Sequence, residues 1–317
     1  MLLNVVWIVC SLGLLFAGGE VLVRGSSSFA LRAGLSPLVV GLTVVAFGTS
    51  SPELVVSLQA ALAQQGDISL GNVVGSNSFN MGAILGITAL ICALPVNQQV
   101  IRIDAPVALG ASILLLVMML DKHLSRLEGM VLFAGLVGYT VWNVVASRRQ
   151  QARAAAMLPE SALPAKAKHH WSLDLLMIVG GLGLLISGSR LLVSNAVELA
   201  TVLGISEAVI GLTIVAVGTG APELAISLVA ALRRQLDIAI GNIVGSNIFN
   251  VLGVLGVTAW IRPLYAPGVE LMDYLVMILF SLILLPLLAW GQILSRRDGA
   301  LLLIIYITYI YFLWPNT

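Results

Sequence analysis

Two short segments of this chain place a Pro-Glu pair and hydroxyl residues inside apolar sequence. Residues 48–53 read GTSSPE and residues 218–223 read GTGAPE. Each proline lacks a backbone donor and disrupts the preceding turn, which predicts a helix break that frees the carbonyl oxygen of Gly48 or Gly218. A hydroxyl and a carboxylate four residues apart can share one helix face, and both segments have this spacing: Thr49, Glu53, Thr219 and Glu223. Such hard oxygen donors suit Na⁺ and Ca²⁺, whereas copper and zinc prefer His and Cys.

A second polar pattern follows each Pro-Glu segment. Residues 71–80 read GNVVGSNSFN and residues 241–250 read GNIVGSNIFN. The polar residues at spacings of four line one side of a helix: Asn72, Ser76, Asn80, Asn242, Ser246 and Asn250. We expect Asn72 and Asn242 to join helices by hydrogen bonds, and the other four to bind a cation. Glycines four residues apart predict close packing of this helix against its neighbours: Gly71, Gly75, Gly241 and Gly245.

The two glutamates carry most of the predicted chemistry. An ionised carboxylate at the centre of a bilayer costs about 2.5 kcal/mol or more, which an ion or a proton can compensate. Glu53 and Glu223 each follow a helix-breaking proline, which favours a binding role over that of a neutral structural acid. Asp67 and Asp237 each precede a predicted helix and are interpreted as N-caps.

These motifs belong to a block of 50 residues that occurs twice at an offset of 170 positions. Residues 41–90 align with residues 211–260 without a gap, and 26 of the first 40 pairs are identical. Such similarity indicates a duplication, and paired segments of this kind are typical of transporters built from repeats.

Composition predicts the class of protein that must position these residues. Apolar residues make up 59% of the chain, charged residues 10%, and the mean hydropathy is +1.04. Soluble chains carry roughly 25% charged residues, so a multi-span membrane protein is predicted. The stretch from Met1 to Ala17 lacks a basic start and is interpreted as a first span rather than a cleaved leader.

At roughly 20 apolar residues per span, the fold predicted is an all-α polytopic membrane protein with ten transmembrane helices in two five-helix repeats. An odd number of spans per repeat inverts the second repeat relative to the first. The repeats occupy residues 1–147 and 172–317, joined by a polar linker over 148–171. The predicted helices are 2–23, 36–64, 69–94, 104–121, 127–147, 172–194, 206–232, 239–261, 272–293 and 298–315.

The distribution of basic residues predicts the orientation. With both termini outside, twelve of the sixteen Lys and Arg residues fall on the inner side, together with the linker, as expected for cytoplasmic loops. The histidines, His123, His169 and His170, lie in predicted loops, and Cys10 and Cys92 are interpreted as packing residues. Nothing in the charge pattern indicates nucleic-acid binding.

The paired motifs GTSSPE with GNVVGSNSFN, and GTGAPE with GNIVGSNIFN, resemble the two alpha repeats of the calcium/cation antiporter superfamily, particularly prokaryotic sodium/calcium exchangers. The resemblance extends across nearly the whole chain and implies two inverted halves whose broken second and seventh helices meet the third and eighth at mid-membrane. It further implies that Glu53 and Glu223 bind Ca²⁺ and take part in Na⁺ binding. Other ligands implied are Thr49, Ser50, Ser76, Thr219, Ser246, the carbonyls of Ala46 and Ala216, and Asn80 and Asn250.

Gly220 stands where the repeat pattern of these exchangers has a serine, so one hydroxyl ligand is missing and the ion stoichiometry stays open. Some relatives have Asp where this chain has Asn80 or Asn250, so this centre carries a formal charge of only −2. One Ca²⁺ neutralises this charge, whereas three Na⁺ would leave the loaded site at +1. Exchange of three Na⁺ for one Ca²⁺ would therefore be electrogenic.

The function predicted is secondary Na⁺/Ca²⁺ antiport by alternating access, with rocking of the first and sixth helices implied by the resemblance. The sequence has no phosphate-binding loop that would indicate use of ATP. Neither a cofactor nor an obligatory protein partner is expected. The membrane expected is a prokaryotic inner membrane. A proton-coupled calcium exchanger would use the same glutamates and is the alternative. A cation channel would need a continuous pore, and an intramembrane hydrolase would need motifs that are absent here.

Overall fold

The computed structural model describes residues 2–157, 171–202 and 216–313, and helices dominate all three ranges. The helices of the first half are α1 (Leu2–Ala33), α2a (Pro37–Thr49), α2b (Ser51–Leu62), α3 (Gly66–Ile91), α4 (Val100–Asp121) and α5 (Arg126–Met157). Those of the second half are α6 (Trp171–Val202), α7a (Ala216–Thr219), α7b (Ala221–Leu232), α8 (Leu236–Ile261), α9 (Leu271–Ala289) and α10 (Arg296–Leu313). Four two-residue strands connect them: β1 (Leu94–Pro95), β2 (His123–Leu124), β3 (Leu264–Tyr265) and β4 (Ile293–Leu294).

The helices have the length and composition of membrane spans. Within the described ranges, seven helices are long and apolar enough to cross a membrane, and the bent pair α2a and α2b makes an eighth. The helix α7 is described only from Ala216 onwards, and α10 begins with three charged residues, Arg296 to Asp298. The polytopic helical class is therefore confirmed, and the count of ten spans stays a prediction.

Three helices run well beyond the ends predicted from sequence. Helix α1 continues to Ala33 rather than residue 23, α5 to Met157 rather than 147, and α6 to Val202 rather than 194. The predictions ended where apolar sequence ended, but Arg, Gln and Ala are good helix formers, so the helices extend past the apolar part. Part of the predicted linker thus belongs to α5. Trp171 begins α6, and residues 158–170 of the linker and 206–215 of the predicted seventh helix lie outside the described residues.

Both predicted helix breaks are present. Ser50 separates α2a from α2b with φ −81° and ψ 6°, and the two segments differ in direction by 44°. Gly220 interrupts the second copy with almost the same angles, φ −83° and ψ 4°. In each case the new helix starts one residue before the proline, where the missing N–H is unneeded.

Local π-helical turns lie close to the polar motifs. They span Gly41–Val45 before the break in α2, Asn80–Ile84 in α3 and Phe249–Leu255 in α8. Such turns widen a helix locally and are frequent at functional sites. Asn80 begins one of them and Asn250 lies in another.

Helices α1 and α6 form a closely packed pair that runs antiparallel. A Cβ atom on Gly18 would lie 2.9 Å from the carbonyl oxygen of Gly181, and one on Gly188 would lie 3.1 Å from that of Ser11. Only glycine permits so close a backbone approach. The outer face of α1 is apolar and exposed, as expected for contact with lipid; Phe16 is an example.

Buried apolar residues form two clusters. The larger one unites α3, α4, α5, α8, α9 and α10. The smaller one lies mainly between α1, α6, α2a and α7b, with Leu22 and Ile226 among its fully buried members. Gly241 and Gly245 of α8 pack against α2a as the sequence predicts, since added Cβ atoms would lie 2.7 Å from backbone atoms of Leu38 and Leu42.

The connections repeat at the same offset of 170 as the sequence. Strand β1 pairs antiparallel with β4, and β2 pairs with β3. Helices α5 and α10 start with equivalent capping interactions, Ser125 with Glu128 and Ser295 with Asp298. Left-handed backbone conformations also occur in equivalent pairs: Gln64 with Arg234, and Lys122 with Gln292.

The prediction that Asp67 and Asp237 are N-caps is wrong. Gln65 and Gln235 occupy the cap positions, and both aspartates lie in the first helical turn, where a carboxylate stabilises the helix dipole. The Asp67 carboxylate also accepts a hydrogen bond of 2.7 Å from the backbone N–H of Gly268.

Candidate functional site

The break in α2 brings two hydroxyl groups of the first half against helices of the second half. Thr49 Oγ1 lies 3.0 Å from Asn242 Oδ1, to which it donates, and 3.4 Å from Ser246 Oγ. Ser50 Oγ donates to Glu223 Oε1 over 3.2 Å. Both hydroxyl residues are fully buried. The non-helical angles of Ser50 therefore turn two consecutive side chains towards α7b and α8.

Glu53 and Glu223 are buried carboxylic acids, with 1% and 0% of their surface exposed. The ion pairs of the described residues join Glu20 to Arg24 and Arg233, and Arg32 to Asp174, and none reaches these two glutamates. Among the described residues, neither Glu53 Oε2 nor Glu223 Oε2 has a hydrogen-bond partner.

Asn72 and Asn242 hold α3 and α8 to the broken helices, as predicted for them. Asn72 Nδ2 donates to Ser57 Oγ at 2.9 Å and to the carbonyl oxygen of Glu53 at 3.3 Å. Asn242 Nδ2 makes the equivalent bonds to Ser227 Oγ at 3.1 Å and to the carbonyl oxygen of Glu223 at 3.4 Å. Each amide thus fixes the backbone at a glutamate of the site.

Asn80 and Asn250 lie at the contact between α3 and α8, and each bonds to a second asparagine on the opposite helix. Asn80 Nδ2 donates to Asn247 Oδ1 at 3.2 Å, and Asn250 Nδ2 donates to Asn77 Oδ1 at 3.1 Å. Asn77 Nδ2 donates to the carbonyl oxygen of Asn247 at 3.1 Å. Asn80 Oδ1 and Asn250 Oδ1 are buried and have no partner among the described residues.

The remaining predicted ligands fall around this centre. Ser246 is fully buried beside Thr49, and Ser76 is 7% exposed on the α3 face that carries Asn80. The carbonyl oxygen of Ala46 accepts the backbone N–H of Ser50 at 3.0 Å and lies 3.4 Å from Thr49 Oγ1. Thr219 ends α7a and Ala216 begins it.

The carbonyl oxygen of Gly218, which the sequence predicts to be freed by Pro222, has a partner from another helix. The Ser189 hydroxyl of α6 donates to it. A helix break of this kind leaves a carbonyl that neighbouring Ser or Thr side chains can satisfy in a membrane protein, and Ser189 does so here.

The unpartnered oxygens indicate what this arrangement can bind. Buried polar atoms are normally hydrogen-bonded, so exceptions require an explanation. Here four oxygens from equivalent positions of the two halves share this property: Glu53 Oε2, Glu223 Oε2, Asn80 Oδ1 and Asn250 Oδ1. Carboxylate and amide oxygens with hydroxyls nearby form a ligand set for a hard cation such as Ca²⁺ or Na⁺. No group of three His, Cys, Asp or Glu side chains able to hold a metal occurs within the described ranges, so the set depends on amides and hydroxyls.

Sequence reasoning did not identify several residues that build the site. Ser57 and Ser227 accept from Asn72 and Asn242, while Asn77 and Asn247 link the two central helices. A signal was available, because all four occupy equivalent positions of the two repeats and are identical in both. Ser57 and Ser227 also continue the four-residue spacing that starts at Thr49 and Thr219, whereas Asn77 and Asn247 lie outside the stripe at spacings of four and had only the repeat to indicate them.

Comparison with known proteins identifies the family of this chain. Residues 3–145 and 173–314 match the family described as sodium/calcium exchanger protein. The chain is 35% identical to the putative antiporter CaxA of Alkalimonas amylolytica, and the alignment covers 100% of both chains. It is also 35% identical to inner membrane protein YrbG of Escherichia coli and 29% identical to sodium/calcium exchanger MaX1 of Methanosarcina acetivorans, over 99% of each chain.

The fold of this chain is also similar to that of a solved structure. The sodium-calcium exchanger NCX_Mj, in a structure obtained with zero Na⁺ and Ca²⁺, superposes with a TM-score of 0.84 at 32% sequence identity. The superposition covers 98% of this chain and 99% of that one. The family consists of transporters rather than enzymes and carries Na⁺ and Ca²⁺ without a cofactor. The chain is an integral membrane protein and belongs to the sodium/calcium exchanger family.

Proposed function

We propose that this protein is a secondary antiporter that exchanges Na⁺ for Ca²⁺ at the site between α2, α3, α7 and α8. The observation that carries the proposal is the set of four buried oxygens, two from each repeat, that have no partner within the described part of the chain. Two buried carboxylates without a cationic side chain are costly in a membrane unless a cation or proton compensates them. One Ca²⁺ neutralises both charges.

The ligands proposed are those that the sequence predicts, and the contacts support them to different degrees. Glu53, Glu223, Asn80 and Asn250 offer unpartnered oxygens, whereas Thr49, Ser50 and Ser246 lie within one hydrogen bond of each other or of Glu223. Ser76, Thr219 and the carbonyls of Ala46 and Ala216 complete the proposed set. Competition of the two ions for the same oxygens would couple their fluxes.

We also propose an inverted repeat of five spans per half, with domains at residues 1–147 and 172–317. The strand pairing supports it. Leu94 in β1 and Leu264 in β3 are equivalent positions, but β3 pairs with β2, and α4 separates β2 from β1. A membrane-length α4 puts β1 and β2 on opposite sides, so the equivalent ends of α3 and α8 would also face opposite sides. The family match, which omits residues 146–172, fits the same division.

Alternating access by rocking of α1 and α6 is the motion proposed. It is supported by the close backbone contact between these two helices. The exposed apolar face of α1 would slide against lipid rather than against protein.

The inner membrane, with both termini outside and the linker in the cytoplasm, is the location proposed. The excess of basic residues on one side supports this orientation. The Escherichia coli relative is named an inner membrane protein.

The test is Ca²⁺ uptake into proteoliposomes under an outward Na⁺ gradient, with an outward proton gradient in parallel. We expect uptake with Na⁺ alone, and its loss by at least a hundredfold in Glu53→Gln and in Glu223→Gln, because each removes a ligand charge. Glu198→Gln, at an exposed glutamate of α6, is the matched control and should transport normally. Uptake driven only by protons would assign the proton-coupled alternative, and uptake without either gradient would indicate a channel.

A further inference from the structure

Asn77 and Asn247 contact two of the proposed cation ligands, Asn250 and Asn80, but are not proposed ligands themselves. Both are buried, with 0% and 2% of their surface exposed. They occupy equivalent positions of the two repeats, at the contact between α3 and α8. Each accepts a hydrogen bond from the other repeat's ligand asparagine: Asn77 from Asn250 and Asn247 from Asn80.

An asparagine amide has two chemically opposite ends, an oxygen that accepts and an NH₂ group that donates. Only the oxygen attracts a cation. A 180° rotation about the last side-chain bond exchanges the two ends at almost no change in shape, so an unrestrained amide at a cation site could present its N–H groups. Something must therefore select the oxygen.

The hydrogen bonds of the two pairs supply this selection. Because Asn250 Nδ2 donates to Asn77 Oδ1, the oxygen of Asn250 is directed away from Asn77, and it has no partner among the described residues. Asn80 Nδ2 likewise donates to Asn247 Oδ1, and Asn80 Oδ1 has no partner among the described residues, but the Nδ2 group of Asn247 also has none there, so only the Asn77 amide is itself held by further contacts. Asn77 is itself oriented, since its Nδ2 donates to the carbonyl oxygen of Asn247 and lies 3.8 Å from Met277 Sδ, which leaves Oδ1 as the acceptor.

We propose that Asn77 and Asn247 are positioning residues that orient the amides of Asn250 and Asn80 so that oxygen, not nitrogen, faces the cation. The proposal rests on the proposed function of the site. It assigns each positioning residue to a ligand of the opposite repeat, so the selection crosses between the two halves.

The crossed assignment provides a sharp test, because aspartate has oxygen at both ends and needs no orientation. We would measure the Kd of Ca²⁺ by calorimetry on the detergent-purified full chain, for Asn77→Ala and Asn247→Ala in three backgrounds: wild type, Asn80→Asp and Asn250→Asp. In wild type, we expect each alanine variant to weaken binding about tenfold. Asn77→Ala should lose most of this effect with Asn250→Asp but keep it with Asn80→Asp. Asn247→Ala should show the reverse pattern.

A merely structural role predicts a different outcome. If Asn77 and Asn247 only held α3 to α8, each alanine would weaken Ca²⁺ binding by the same factor in all three backgrounds, and this result would overturn the proposal. Thermal unfolding of each variant separates loss of folding from loss of affinity. If an alanine variant does not fold, Asn77→Ser and Asn247→Ser replace it, because a serine is too short to reproduce the amide contact.

Failure of the proposed function gives a distinct result. A wild-type protein that binds no Ca²⁺ would contradict the cation site itself. Wild-type binding with equal losses across the backgrounds would contradict only the positioning role.

Discussion

The two halves of the site are built from nearly the same residues but do not make the same contacts. Ser50 lies at the helix break of the first half, and its hydroxyl donates to Glu223 of the second half. The equivalent break carries Gly220, which has no side chain to offer Glu53. A hydrogen bond to a charged group contributes about 1.5–3 kcal/mol, so the two carboxylates are expected to differ in how strongly they depend on a bound cation.

A second difference concerns the helices behind the breaks. Ser189 of α6 donates to the carbonyl oxygen of Gly218 at the second break. Its equivalent in α1 is Gly19, where an added Cβ would lie 3.0 Å from the Val229 side chain. The first half thus has a hydroxyl at its break that donates to a carboxylate, whereas the second half has a hydroxyl on α6 that donates to the carbonyl at its break. The two halves therefore differ in one proposed ligand, Ser50, and in the hydroxyl that bonds to the carbonyl at the second break.

Among substitutions that compare the two breaks, the largest effect is expected from removing the hydroxyl that only the first half provides. Ser50→Gly makes the first break resemble the second and leaves Glu223 Oε1 without its donor. We expect the Kd of Ca²⁺ to rise roughly tenfold or more, as the loss of a charged hydrogen bond implies. Calorimetric titration would measure it, with Ser51→Gly as the control, because the Ser51 hydroxyl donates to the carbonyl oxygen of Phe47 in α2a and not to a proposed ligand. An unchanged Kd would mean that the contact with Glu223 does not contribute to Ca²⁺ binding.

The reverse substitution should have a smaller effect of the opposite sign. Gly220→Ser gives the second break the hydroxyl of the first, and the almost identical backbone angles of Ser50 and Gly220 indicate that a serine can adopt this backbone conformation. We expect the concentration of Na⁺ for half-maximal exchange to fall about threefold, roughly the 0.7 kcal/mol of a modest interaction. Na⁺-dependent Ca²⁺ efflux from proteoliposomes measures this. Gly220→Ala is the control, since it adds the Cβ without the oxygen, and an equal gain in both variants would contradict a role for the hydroxyl.

The sequence predicted the fold class and the helix breaks because their causes are local. Pro52 and Pro222 cannot donate in a helix, and the helices are interrupted at the residues before them. The four-residue spacing of Asn72, Ser76 and Asn80 likewise predicted one shared face. Helix ends were predicted poorly where apolar sequence stopped but helix formers continued, as in α5 after residue 147.

The contacts between the halves could not be predicted in the same way. That Ser50 reaches Glu223, or that Asn77 meets Asn250, depends on how segments about 170 residues apart pack, and spacing along one helix carries no information about it. The partner of the Gly218 carbonyl also required the structure. Proline predicts that a carbonyl is freed, but not which neighbouring side chain bonds to it.

The smallest expected effect concerns the support of the second break. Ser189→Ala removes the hydroxyl that bonds to the Gly218 carbonyl, leaving a buried acceptor unsatisfied but the cation ligands unchanged. We expect a loss of about 1–3 kcal/mol in stability, measured as a fall of a few degrees in the melting temperature of the detergent-purified protein, with the Kd of Ca²⁺ changed less than twofold. Ser194→Ala is the control, because the hydroxyl of Ser194 is exposed on the same helix. A large rise in Kd at an unchanged melting temperature would instead mean that Ser189 acts on the site itself, so that the two halves differ in binding as well as in support.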